Sequence, residues 1–82
     1  MPKRFRQKLD RVKPLDLHGI HHRDVARIVE DYVLLNQDDL PLKIITGNSD
    51  KMKTIVIEAL IAHKFNYTDG DLYNRGYIDV IN

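Results

Sequence analysis

An 82-residue chain that is 43% hydrophobic and 30% charged can form one soluble domain with a modest core, and its net charge is only +1. The absence of cysteine excludes disulfides and thiol chemistry, and it suits the reducing cytoplasm in which we expect the protein. No apolar run approaches the roughly 18–20 residues of a membrane span, so we expect no membrane association. We also expect a monomer.

The charge is unevenly distributed, because residues 1–13 form a basic arm ahead of an acidic body, residues 14–82. The arm carries six Lys and Arg residues against one acid, whereas the body carries seven against eleven. A basic arm on an acidic body is typical of proteins with a nucleic-acid partner. The candidate phosphate contacts in the arm are Lys3, Arg4 and Arg6.

The arm has a second interpretation, which the sequence leaves open. Phe5, Leu9 and Val12 have helical spacing, so the arm could be a helix that packs on the body. It could also be a solvated tail. Pro14 ends any such helix, because the residue before a proline avoids the α region.

The body predicts the element order β-α-β-α-β-β. The predicted strands cover residues 15–18, 42–45, 65–69 and 77–81, and the predicted helices cover residues 22–35 and about 51–64. The first β-α-β crossover makes the first two strands parallel. We expect the third strand to join them in parallel and the fourth to run antiparallel after a short loop. The predicted fold class is α/β, a two-layer α+β sandwich with a mixed four-stranded sheet.

Polar residues follow the first two strands, where a parallel sheet commonly binds ligands. Because side chains alternate along a strand, Asp16 and His18 share one face, and Leu15 and Leu17 share the other. If the two strands are near neighbours, the same edge also carries the turn that begins at Thr46.

The second of these turns, "TGNSDKMK" at residues 46–53, precedes the second helix. Free N–H groups and the positive end of the helix dipole favour an anion there. Lys51 and Lys53 lie in the first helical turn, where the dipole disfavours a cation, and a bound phosphate would reconcile the two. The alternative is simple capping by Ser49 or Asp50, with solvated lysines.

Three of the four histidines lie within residues 18–22. His18 could be a general base or acid, with Asp16 as the group that orients it. His21 and His22 are expected to be exposed at the helix start. This spacing fits neither a tetrahedral structural zinc site nor the helical H-x-x-x-H pattern, so no zinc site is expected. His63 is expected at the edge of the core.

Three short motifs in order resemble the small MutS-related (Smr) domain family over residues 14–82. Leu15, Asp16, His18 and Gly19 match L-D-x-H-G. Thr46 and Gly47 match the start of T/H-G-x-G, and Asn74, Gly76 and Val80 match N-x-G-x-x-x-V. The resemblance implies a fold like the C-terminal domain of a bacterial translation initiation factor, and it implies binding of DNA or RNA. It further implies DNA-nicking or RNA endonuclease activity, with Asp16 and His18 as catalytic residues and Thr46 and Gly47 in the substrate-binding turn.

This sequence departs from the family pattern at the second motif. Asn48 stands where the family has Lys or Arg, and Ser49 stands where it has a second Gly. The loss of a preorganised cation can cost a phosphoryl-transfer site several kcal/mol. Three functions therefore stay open: an endonuclease, a binding module without cleavage, and a protein-interaction domain whose arm docks an acidic partner. No cofactor is expected, and the use of a divalent metal is left open.

Overall fold

A computed structural model describes residues 12–71 and 73–82 of the chain. The elements are β1 (Leu15–Asp16), α1 (His22–Leu35), a 3-10 turn (Gln37–Asp39), β2 (Leu42–Ile45), α2 (Asp50–Ala62), β3 (Tyr67–Asp69) and β4 (Tyr77–Val80). The predicted order β-α-β-α-β-β and the mixed four-stranded sheet are therefore confirmed.

Both helices follow from local sequence signals. The apolar stripe of α1 places Val25, Val29 and Val33 in the core. At the start of α2, Ser49 is the N-cap, since its hydroxyl accepts a hydrogen bond from the Met52 N–H at 3.1 Å. The helix ends two residues earlier than predicted, at Ala62, because Lys64 adopts a left-handed φ of 63° that no helix continues.

The strand order is β1-β2-β4-β3, which corrects one expectation about the sheet. β1 and β2 are parallel, and β4 is antiparallel to both of its neighbours, as expected. β3 runs in the same direction as β2 but does not pair with it, because β4 lies between them. The short loop after β3 makes a hairpin, and β4 then pairs with the free edge of β2.

Three predicted strands are longer than the observed ones. β1 ends at Asp16, although the Leu17 N–H still donates to the Ile45 carbonyl at 3.0 Å, so only His18 has left the ladder. β3 begins two residues later than predicted, at Tyr67, and β4 ends one residue earlier, at Val80.

The two helices form one layer on one face of the sheet, and the core lies between the layers. Alternation along the strands directs one set of side chains into this core and leaves the other on the helix-free face. The buried apolar side chains are Leu17, Val25, Val29, Val33, Leu42, Ile44, Met52, Val56, Ala59, Leu60, Ile78 and Val80. On the helix-free face, Lys43 pairs with Asp79 at 3.1 Å and its Nζ lies 3.4 Å from the centroid of the Tyr77 ring.

The last residues of the basic arm are already attached to the body. Val12 packs against the core, and the Tyr32 hydroxyl donates to the Lys13 carbonyl at 2.7 Å. Phe5 and Leu9, the other two residues of the proposed arm helix, lie outside the described residues. Within residues 12–71 and 73–82, no helix has the length and apolar character needed to cross a bilayer.

An ion pair ties the first turn of α2 to the end of β3. The Lys53 Nζ lies 3.0 Å from Asp69 Oδ1, and the Lys53 side chain is only 10% exposed. We predict that Lys53→Met lowers the free energy of unfolding by about 1–3 kcal/mol, because it leaves the Asp69 carboxylate without its charged partner. Urea denaturation measures this.

Lys51→Met is the matched control, because Lys51 is exposed in the same helical turn. It should change stability by less than about 0.5 kcal/mol. Equal losses in the two variants would show that the ion pair does not stabilise the fold.

Candidate nucleic-acid interface

Asp16 and His18 are in direct contact at the carboxyl edge of β1. His18 Nδ1 lies 2.7 Å from Asp16 Oδ1, and the His18 backbone N–H donates to the same oxygen at 2.9 Å. Both side chains are exposed, at 66% for His18 and 59% for Asp16. The two hydrogen bonds from residue 18, the backbone one first, lower the pKa of Asp16 below its ordinary value. Asp16 is therefore an ionised acceptor that fixes the orientation of the imidazole.

The other ring nitrogen of His18 faces the turn after β2. A Cβ built on Gly47 would lie 3.2 Å from His18 Nε2, and Gly47 has a φ of +68°. Any side chain here would be strained and would press on the histidine ring. Gly19, which has a φ of +79°, makes the turn that leads from His18 into α1. The first two predicted motifs thus meet in space.

The loop between β3 and β4 joins the same edge. The Gly76 carbonyl accepts hydrogen bonds from the Thr46 and Gly47 N–H groups, both at 2.9 Å. The Asn74 side-chain oxygen in turn accepts from the Gly76 N–H at 2.9 Å, so Asn74 shapes the loop. All three motifs therefore converge on one edge of the sheet.

Three features of the structure bear on the anion-binding turn predicted at residues 46–53. The Thr46 and Gly47 N–H groups are occupied by Gly76, and Thr46 itself is buried. The Ser49 hydroxyl is used as the helix cap. Lys53 is neutralised by Asp69 and largely buried, so it is not the free cation that the spacing suggested.

Two candidates remain accessible at this turn. Asn48 and Lys51 are exposed, and Lys51 makes no ion pair with any described residue. The Asp50 carboxylate lies between them at the first position of α2, where it competes with an incoming anion for the positive end of the helix. Fewer groups are therefore available to an anion at this turn than its sequence predicts.

Sequence reasoning missed a set of residues in and beside the 70–76 loop. Asp71 Oδ1 accepts from the Tyr73 and Asn74 N–H groups at 2.8 and 2.7 Å, and Asp71 Oδ2 accepts from the Tyr77 hydroxyl at 3.0 Å. These bonds lower the pKa of Asp71, and the Asp71 carboxylate raises that of Tyr77. The loop itself was predicted, and an Asp followed two and three residues later by turn residues is an Asx-turn signal that could have predicted these hydrogen bonds within it.

The other predicted candidates are the remaining three histidines and the basic residues of the arm. His21 and His22 are exposed, as expected, and His63 pairs with Glu30 at 3.1 Å on the rim between the helices. The residues that the structure describes contain no group of three or more potential metal ligands. Lys3, Arg4 and Arg6 lie outside the described residues.

Comparison with known proteins gives one informative match. No protein-family model matches this sequence, and no curated protein does either. Among solved structures, the chain is similar to the crystal structure of the human small MutS-related domain. The two are 28% identical with a TM-score of 0.57, and the match covers 85% of this chain and 100% of the human domain. The resemblance stated from the three motifs is confirmed.

The pKa of Asp16 should rise in His18→Ala without reaching its ordinary value. The variant removes the imidazole contact, whereas the backbone N–H of residue 18, the largest cause of the lowered pKa, stays. A carboxyl NMR titration measures this, with Asp71 as the internal control.

Because folding lowers the pKa of Asp16 below 3.8, its ionised form stabilises the fold above that pH, and this contribution disappears as the pH falls through the folded pKa. An unchanged Asp16 pKa would show that the ring contact does not form in solution.

Proposed function

We propose that this chain, which has the small MutS-related (Smr) fold, is a nucleic-acid-binding domain whose sheet edge contacts the sugar-phosphate backbone. The observation that carries the proposal is that the His18 ring of the Asp16–His18 pair faces the Gly47 turn, where three separate motifs converge. A shallow, open edge of this kind suits a polymer better than a small molecule, which needs an enclosing pocket.

The Asp16–His18 pair has the chemistry of an oriented general base. An ionised carboxylate only accepts hydrogen bonds, so the proton of a neutral His18 lies on Nδ1 and the lone pair lies on Nε2. That lone pair is at the ring atom that faces the Gly47 turn. The proposed role of Asp16 is to hold this tautomer and this orientation.

RNA supplies a substrate that such a base can use without a metal. His18 Nε2 takes the proton from a 2′-hydroxyl, and the 2′-oxygen attacks the adjacent phosphorus. The bond from phosphorus to the 5′-oxygen breaks, and that oxygen leaves with a proton from water. The protonated His18 then gives its proton to the hydroxide that remains, which restores the neutral base. The products are a 2′,3′-cyclic phosphate and a 5′-hydroxyl.

Binding without cleavage is the second candidate function, and it rests on a different observation. The Thr46 and Gly47 N–H groups already donate to Gly76, and Lys53 is paired with Asp69. Few preorganised donors therefore remain to stabilise charge on a phosphate in the transition state, and such stabilisation is usually a large part of catalysis. Asn48 also favours binding without cleavage, because it carries no positive charge at the position where the family has Lys or Arg.

We predict that His18→Ala lowers the rate of RNA cleavage by about 10²–10⁴-fold, the usual contribution of a general base. Labelled single- and double-stranded RNA and DNA are incubated with the protein, both in EDTA and with a divalent cation. His22→Ala is the matched control, because it removes an exposed histidine four residues away and should cleave like the parent.

The melting temperature of His18→Ala should stay close to that of the parent, since the side chain is exposed and Asp16 remains solvated without it. Cleavage of DNA at the same rate as RNA would contradict the 2′-hydroxyl mechanism. Binding by the parent with no cleavage of either would support the second candidate.

The arm should supply part of the nonspecific affinity. We predict that Lys3→Gln, Arg4→Gln and Arg6→Gln together weaken binding and flatten the slope of log K against log salt. Each lost phosphate contact should reduce the slope by about 0.7–0.9, because fewer counterions are released. Fluorescence anisotropy at several salt concentrations measures this. Binding that is insensitive to salt would instead favour the protein-interaction interpretation.

A further inference from the structure

We propose that Tyr73 and Arg75, in the 70–76 loop, form a binding element that selects single-stranded over double-stranded nucleic acid. Tyr73 would stack on an unpaired base, and Arg75 would contact the neighbouring phosphate. This inference rests on the proposed function, which it extends by naming the class of substrate.

The first observation is the exposure of Tyr73. Its side chain is 96% exposed, the highest among the exposed large hydrophobic residues of the described chain. A tyrosine in this state adds nothing to the core. Its ring is available for contact with another molecule.

The second observation is that the backbone beneath this ring is held in place. Asp71 accepts from the Tyr73 and Asn74 N–H groups, and its own N–H donates to the Asn74 carbonyl at 2.9 Å. The Tyr77 hydroxyl, at the start of β4, holds the other oxygen of Asp71. The backbone of Tyr73 and of Asn74 is therefore already held by hydrogen bonds, which lowers the entropy cost of binding.

The third observation is the position of this loop beside the Asp16–His18 pair. Gly76 is bonded to the Thr46–Gly47 turn that His18 faces. Tyr73 is three residues from Gly76, so their Cα atoms are within about 10 Å of each other. A strand that reaches His18 would thus pass close to the ring of Tyr73.

Arg75 supplies the charge that the second motif lacks. It is exposed, makes no ion pair with another described residue, and is the immediate neighbour of Gly76. Its guanidinium can bind a phosphate through two parallel hydrogen bonds. Arg75 would then take over the role of the basic residue that Asn48 replaces.

An aromatic ring beside a cation fits a single strand better than a duplex. Unpaired bases stack on protein aromatics, whereas bases within a duplex are already stacked on each other and must be unstacked first. Stacking tolerates any base because each has a π face. We therefore expect the protein to prefer single-stranded over double-stranded nucleic acid and to show little preference for base sequence.

The test compares the affinities of the full chain for two probes that it cannot cleave through a 2′-hydroxyl. They are a short 2′-O-methyl RNA single strand and a blunt duplex that contains the same sequence, both followed by fluorescence anisotropy. We expect the parent to prefer the single strand and Tyr73→Ala to lose about tenfold or more of that affinity. Tyr73→Phe, which keeps the ring, should bind like the parent.

Arg75→Gln should weaken binding to both probes and reduce the salt slope by about one phosphate contact. Leu35→Ala is the matched control, since it truncates a side chain that is also exposed, at 84%, at the end of α1. Its affinity should equal that of the parent. Thermal melting of all variants should match the parent because these side chains are exposed.

Three outcomes would overturn the inference and leave the proposed function standing. They are equal affinity of the parent for both probes, parent-like binding of the single strand by Tyr73→Ala, and equal losses in Tyr73→Phe and Tyr73→Ala. A parent that binds neither nucleic acid would remove the proposed function and this inference together.

Discussion

The Gly76 carbonyl holds the carboxyl edge of this domain together. It accepts the N–H groups of Thr46 and Gly47, and it thereby joins the loop before β4 to the turn after β2. Without this contact, the bond from the Tyr77 hydroxyl to Asp71 would remain, but the loop would lose its link to the turn that His18 faces. Gly47 has a φ of +68°, which glycine adopts without strain, and a side chain there would press on the His18 ring.

The same hydrogen bonds reduce what the turn can do chemically. Backbone donors that could have stabilised a phosphate are used to hold the loop, and Lys53 is used to hold β3. Positive charge for a ligand must then come from exposed side chains, and among these Lys51 lies beside the turn and Arg75 lies in the loop. The proposed binding therefore demands less of this edge than the proposed cleavage, which needs stabilisation of charge in the transition state.

A chain of contacts on and beside the helix-free face connects the sheet to the loop. Lys43 covers the Tyr77 ring and pairs with Asp79, Tyr77 donates to Asp71, and Asp71 orders the backbone of the loop. The strand register places Lys43 opposite Asp79, so the geometry of the loop depends on the β2–β4 pairing. A surface that looks merely polar therefore positions the proposed binding element.

The sequence by itself determined the elements and the orientation of the first motif, because these depend on local periodicity. Helix α1 lies where its apolar stripe predicts it, Ser49 caps α2, and alternation along β1 buries Leu17 and leaves Asp16 and His18 in contact on the outside. The three motifs also identified the family fold, although their roles in function stay predictions.

Only the tertiary structure decided where β4 inserts and which polar groups are already occupied. The sequence shows a hairpin after β3 but not which strand receives its free edge, since that depends on contacts more than thirty residues apart. The pairing of Lys53 with Asp69 and the capture of two N–H groups by Gly76 have the same origin. Periodicity fixes the face on which a residue lies, whereas long-range packing fixes the partner that it meets there.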